Sequence, residues 1–273
     1  PETRQLLSAD MLLAVTPAIT GFSLQFSTIY TLYLLAMLAL LYRPRLLQTR
    51  MRTAAFFMIV GMATSYFDFL TYPIAAFGMP FLLSLLLSPV PTRRAGLLRG
   101  LLCLGAWAVG YFGLWAGKWV IAAAFGSDGW FVPNLMAKIT ERSSHQSAGV
   151  TLGAADVLGR VLGVFAKKAY LLVAATVTAA YAALLVRAVG KRSKCQGPSA
   201  AAGARPAGFT GQTLLMLLAG LLPFGWYLLA SNHTYNHAFF TSRALTVTVF
   251  AAGCLATDIL LRVKGGETPA VKG

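Results

Sequence analysis

Seven apolar runs follow one another along the chain: roughly Phe22–Tyr42, Thr53–Phe67, Tyr72–Ser88, Leu101–Ala123, Ala169–Val186, Leu214–Ala230 and Ala244–Leu261. In hydrocarbon every backbone N–H and C=O must find its partner inside the protein, and a single segment achieves that by closing into a helix. The runs therefore predict an all-α integral membrane protein, a bundle of about seven transmembrane helices with one long outer loop. Charge supports this class. Only 11% of the residues are charged, against about 25% in an ordinary soluble domain. The mean hydropathy is +0.68.

The net charge of +15 could suggest nucleic acid, but its distribution argues for a membrane. The segments "RPRLLQTRMR", "PTRRAGLLR", "RAVGKRSKCQGPSAAAGARPAG" and the tail from Arg262, with Asp258 at the inner end of the last run counted in, hold fifteen Lys/Arg against two acidic residues, Asp258 and Glu267. The intervening set holds eight Lys/Arg and six acidic residues. The positive-inside rule puts the first set in the cytoplasm. The expectation is a multi-pass protein of the bacterial cytoplasmic membrane, its first residues outside and its C-terminus in the cytoplasm. Seven spans fit that parity. Pro1 replaces a starting Met and no signal peptide follows, which reads as a piece of a longer protein with earlier spans.

Three regions follow from this reading. Residues 1–195 carry helices one to five with the outer loop 124–168. Residues 196–211, rich in Gly, Ala and Pro, form a flexible cytoplasmic linker. Residues 212–273 carry the last two helices and a cytoplasmic tail. Within the outer loop, "NLMAKITER" predicts a short helix on which Lys138, Glu141 and Arg142 are close enough to pair. "DVLGRVLGVFAKKAY" predicts an amphipathic lead-in, with Lys167 and Lys168 at the lipid edge. Cys103, Cys195 and Cys254 have neither disulfide nor zinc spacing.

Polar groups at or inside the apolar boundary are costly unless paired, so they carry the most information. Asp68, in "YFDFLTYP", is the sole charge between Arg52 and Arg93. It reads as a catalytic carboxylate at the outer mouth of a cavity, or as a turn residue or helix N-cap. Lys118, between Trp115 and Trp119, reads as a cation for a phosphate or as a snorkelling lysine in an aromatic belt. The stretch "SNHTYNHAFFTSR" sets His233 and His237, and Asn232 and Asn236, four apart, so each pair shares a helical face. With Arg243 these donors suit a phosphate or sugar hydroxyls; they equally suit a structural cap between two spans. A His pair at this spacing can bind a divalent metal, but no HExxH pattern or nearby carboxylate accompanies it, so no metal or other cofactor is indicated. His145, in "ERSSHQS", reads as part of a solvated loop, since nothing specifies a catalytic triad around it. Asp258 and Arg262 read as a local ion pair. The predicted substrate-binding set is thus Lys118, Trp119, Asn232, His233, Tyr235, His237 and Arg243.

"SYFDFLTYPIAAFGMPF", "GYFGLWAGKW" and "PFGWYLLASNHTYNHAFFTSRAL" resemble segments in the C-terminal half of bacterial polytopic GT-C-like glycosyltransferases. The likeness covers most of residues 20–260, and its most specific part is the NHxxxH run followed by F-T-x-R. It implies transfer of a sugar from a polyprenyl-phosphate carrier in the membrane lipid to a glycan or other cell-envelope acceptor, with no nucleic acid involved. In such enzymes the acidic catalytic residue usually lies in the first outer loop of the whole protein, ahead of this chain, unless Asp68 takes the role. The resemblance also fits Lys118, His233 or Arg243 stabilising a phosphate leaving group. Trp119, Tyr235 and Phe239 would hold the sugar or the first isoprene units. Rival readings are a flippase or transporter of a lipid-linked or anionic substrate, an O-antigen-ligase or polymerase-like enzyme, and a non-catalytic membrane assembly subunit.

Overall fold

The computed structural model describes residues 27–67, 72–90, 92–125, 131–147, 149–166 and 211–266, with short pieces of 172–187. The described residues of the chain are overwhelmingly helical. Its elements are α1 (Thr28–Tyr42), α2 (Arg50–Phe67), α3 (Pro73–Leu87), α4 (Arg93–Phe125), α5 (Phe131–Ser143), the strands β1 (Gln146–Ser147) and β2 (Val150–Thr151), α6 (Ala154–Gly163), α7 (Gly211–Leu229), α8 (Ser231–Asn236), α9 (Ala238–Thr241) and α10 (Leu245–Gly266). Three helical stretches are long and apolar enough to cross a membrane: Arg93–Phe125, Gly211–Leu229 and Ala238–Asp258. Two shorter apolar helices, Thr28–Tyr42 and Pro73–Leu87, accompany them. Of the seven expected spans, the described residues therefore support three by length and composition. Most of the expected fifth, and the linker 196–210, lie outside the described residues.

α3 is the hub. It is apolar on every side, and Pro73 to Leu85 are all buried. A helix that is apolar all round belongs inside, and α1, α7 and α10 enclose it. Its Pro73 stands at the first turn, where a missing N–H costs nothing. A ladder of rings ties α3 to α2 and α4: Phe77 stacks on Phe81 at 5.1 Å, and meets Phe57 at 5.7 Å and Trp107 at 5.8 Å.

α2 and α4 form the most extensive helix pair. Gly61 and Gly110 make it possible, each in the other helix's path. A Cβ at Gly61 would run into the Trp107 carbonyl, and one at Gly110 into the Met58 carbonyl. Such small-residue crossings are how helices approach closely in lipid, where apolar burial drives association weakly. In α7 Pro223 interrupts the backbone ladder, and in that turn the Thr248 hydroxyl of α10 donates to the Gly220 carbonyl at 2.8 Å.

The outward faces are apolar. On α4, Val109, Phe112, Val120, Ile121 and Phe125 are exposed, as are Leu218 and Leu221 on α7. Contiguous exposed apolar surface of this kind belongs against lipid rather than water. Thirty-three residues make α4 about 50 Å long, and its uncharged stretch between Arg99 and Lys118 spans about 27 Å, close to a bilayer's hydrocarbon core of about 30 Å.

Each end of that stretch carries a cation that caps a neighbouring helix. Arg99 donates to the carbonyls of Ser88 at 2.6 Å and Ser84 at 3.2 Å, closing the C-terminus of α3. Lys118 donates to the Ser65 carbonyl at 2.9 Å, in the last turn of α2. Cations suit helix C-termini because the last carbonyls are unpaired and carry partial negative charge.

At the Lys118 end, α5, the β1–β2 hairpin and α6 pack onto α8 and α9. The expected Lys138–Glu141 pair forms at 2.8 Å, and that hydrogen bond holds the Glu141 carboxyl below the usual carboxylate range. The amphipathic lead-in is α6, with Val157 and Val161 buried on one face. Lys167 and Lys168 lie outside the described residues, as do Cys195 and the Arg262 side chain. Asp258, Cys103 and Cys254 are buried.

Candidate functional site

The stretch from Ala230 to Leu245 turns the chain from α7 into α10, and it stays helical. The amides of Thr234, His237 and Thr241 bond the carbonyls of Ala230, His233 and His237 at 2.8, 3.0 and 3.0 Å. The i, i+4 spacing read from the sequence is therefore real. The rings of His233 and His237 stand 4.8 Å apart, tilted by 47°.

The two asparagines, of which Asn232 was expected to bind substrate, make a chain of contacts within the protein. Asn236 Nδ2 donates to Asn232 Oδ1 at 2.9 Å. Asn232 Nδ2 then donates to the Gln146 carbonyl, and its backbone N–H to the Ser144 carbonyl at 3.1 Å. Ser147 Oγ donates to Asn236 Oδ1 at 2.9 Å. The pair is a clasp that fastens the β1–β2 hairpin to α8.

His145 belongs to the same clasp. Its Nδ1 lies 3.0 Å from Ser231 Oγ, while Ser231 donates its one proton to the Leu228 carbonyl at 2.6 Å. Nδ1 must therefore carry a hydrogen and donate to the serine. This polarity is opposite to that of a nucleophilic pair, in which histidine takes the serine proton. Ser231 is also buried. The loop around His145 is solvent-exposed, as expected, and it is also shaped into a hairpin seated on Ser231.

Arg243 occupies the centre of the turn. It is 8% exposed. Its guanidinium carbon lies 5.8 Å from the ring centres of Tyr30 and Tyr72, 5.7 Å from Phe239 and 5.4 Å from Phe240. The N-termini of α1, α3 and α10 converge here. Tyr30 and Tyr72 meet at 5.4 Å, and Tyr227 of α7 reaches in to donate to the Thr241 carbonyl at 3.0 Å. A guanidinium suits such a site, being planar, weakly hydrated and able to lie against ring faces.

The other expected residues lie to the sides. Lys118 sits by Ser65 with Nζ 5.3 Å from the centre of the Tyr66 ring, and Trp119 meets Trp115 edge-on at 5.9 Å. That group forms the end of the α2–α4 pair. Tyr235 lies under Arg160 of α6, 5.6 Å from its guanidinium. Asp68 lies outside the described residues. The structure thus gathers Asn232, His233, Tyr235 and His237 on α8 and its cap, Arg243 beside them in the turn, and Lys118 with Trp119 on another helix pair.

Tyr30 is the residue that sequence reading missed. Its hydroxyl is buried without a hydrogen-bond partner, a condition shared by Trp226 Nε1 and Thr234 Oγ1. A tyrosine among apolar residues carries no signal of its own; the signal is its proximity to Arg243. Among the described residues, no group of three or more His, Cys, Asp or Glu side chains is placed to hold a metal ion.

Comparison with protein-family models, with curated proteins and with solved structures finds no match for this chain. The fold and the apolar faces define a helical protein with three helices able to cross a membrane.

Proposed function

We propose that this chain is a membrane glycosyltransferase, or the C-terminal portion of one, moving a sugar from a polyprenyl-phosphate carrier to a cell-envelope acceptor. The reaction takes place at the outer face of the bacterial cytoplasmic membrane, with the Arg243 end of the bundle outside. The single observation behind this reading is Arg243, a buried guanidinium enclosed by four aromatic rings. A cation with little water around it acts strongly on charge that develops on a departing phosphate. The basic segments at the opposite, Arg99 end support the orientation. The NHxxxH run and F-T-x-R, which carry the resemblance, fall in this same turn.

In this reading Arg243 stabilises the lipid phosphate as the glycosidic bond breaks. His233 and His237 bind the substrate beside it, and Phe239 and Tyr235 flank the sugar. A carboxylate, for which Asp68 is this chain's candidate, takes the proton of the acceptor hydroxyl. The test is a deletion of the full gene, with envelope glycans and polyprenyl-linked intermediates profiled by mass spectrometry. The deletion should remove one sugar from an envelope polymer and leave its lipid carrier accumulating outside. Wild type should restore the sugar and Arg243→Met should not, at matched membrane levels. Unchanged glycans would overturn the proposal, and accumulation on the inner leaflet would point to a flippase instead.

A further inference from the structure

The buried polar atoms that lack partners offer a second route to the ligand. A hydroxyl shut away from water without a hydrogen bond is destabilising, so each such group calls for an occupant or a role. Tyr30 OH is one, on the ring that faces Arg243 at 5.8 Å and Tyr72 at 5.4 Å. The contrast with Tyr227 is direct. Tyr227 is buried in the same region, and its hydroxyl is satisfied by the Thr241 carbonyl at 3.0 Å. The fold therefore satisfies one tyrosine there and leaves the other's donor open.

We infer that the Tyr30 hydroxyl and the Arg243 guanidinium together form an oxyanion site that takes the phosphate of an amphiphilic phosphate ester. A guanidinium offers a planar fork of N–H donors, and a phosphate has more acceptor oxygens than the fork uses. Tyr30 supplies the next donor. Phe239 and Phe240 bound the site on the α9 side with apolar surface that suits the chain of such an ester. The inference deepens the proposed function and rests on it for the choice of a lipid phosphate. Tyr30 enters as a binding residue.

The experiment uses the full chain in lipid nanodiscs, with farnesyl phosphate as probe and farnesol and inorganic phosphate as comparisons. Tyr30→Phe removes only the orphan hydroxyl, so the unliganded variant should unfold at the wild-type temperature or higher. Its affinity for farnesyl phosphate should fall about ten-fold, the effect expected of one lost hydrogen bond to a charged group, while its response to farnesol stays unchanged. Competition by millimolar inorganic phosphate would identify the phosphate alone as the determinant. Binding of the ester without such competition would make the lipid tail necessary. Both results support the site. Wild-type affinity in Tyr30→Phe would overturn it, as would a lower unfolding temperature together with equal losses for farnesol. The two proposals can fail separately. Unchanged glycans in the deletion strain with Tyr30-dependent binding intact would remove the transferase and keep the site. A glycan defect without Tyr30 dependence would do the reverse.

Discussion

Ser231 gives its hydroxyl proton to the Leu228 carbonyl at 2.6 Å and receives one from His145 Nδ1 at 3.0 Å, across 86 residues of chain. The direction of that second bond decides what the histidine does. That bond fastens the hairpin to α8, and amide exchange at residues 146–151 reads how firmly it does so. His145→Ala should raise exchange there about five-fold, corresponding to about 1 kcal/mol for a net hydrogen bond. His145→Asn, which can place an amide donor near the position of Nδ1, should recover part of the protection. Unchanged exchange in His145→Ala would show that this bond does not hold the hairpin.

Lys118 meets Ser65 and Tyr66 of α2, whereas Arg243 meets Tyr30, Tyr72, Phe239 and Phe240. Its hydrogen bond to the Ser65 carbonyl caps α2, and its ammonium lies over the ring of Tyr66. Lys118→Met should lower stability by up to about 1 kcal/mol, the scale of a helix C-terminal cation. Lys118→Arg should restore it. In the deletion strain Lys118→Met should complement where Arg243→Met fails. Loss of function in a well-folded Lys118→Met protein would bring Lys118 back into the site.

Two glycines on α4 separate close approach from propensity. Gly110 abuts the Met58 carbonyl, whereas a Cβ at Gly113, three residues on, would meet nothing within 4 Å. Gly110→Ala, like Gly61→Ala on the facing helix, forces α2 and α4 apart and should cost about 1–3 kcal/mol, as overpacking does. Gly113→Ala should be neutral or stabilising by about 0.5–1 kcal/mol, because alanine loses less backbone entropy in a helix. Denaturant titration in detergent micelles would read both. Equal effects at the two positions would remove the close crossing as the reason for Gly110.

Helix existence was legible because runs of this hydropathy have few other ways to satisfy a backbone, and α2, α3, α4, α7 and α10 fall where the runs fall. The i, i+4 pairs in "SNHTYNH" were legible for the same reason: the turn is helical. What those pairs do was not. Asn232 and Asn236 bond Gln146 and Ser147, and local periodicity has no access to partners so far along the chain. Lys118 and Arg243 look alike as boundary cations in the sequence. They part because α4 pairs with α2, while α10 packs on α7 and α3 and Arg243 just ahead of it meets Tyr30 of α1. Tyr30 was hidden in an apolar run, where one more ring reads as core.

The enclosure of Arg243 makes the choice of cation itself testable. Four ring centres lie 5.4–5.8 Å from its guanidinium carbon. An ammonium would keep the charge in Arg243→Lys, but it is compact, strongly hydrated and unable to lie flat against a ring. Arg243→Lys should therefore lose about 1–2 kcal/mol of stability, the range of a desolvated cation–π contact. It should also bind farnesyl phosphate more weakly than wild type, since a point charge cannot engage two phosphate oxygens as a fork does. Arg243→Met fills the apolar enclosure without charge. It should fold, and lose farnesyl phosphate binding altogether. Thermal unfolding with and without the ester reads both quantities in one experiment. If Arg243→Lys matched wild type in each, charge alone would suffice, and neither the stacking nor the fork would explain why an arginine stands there.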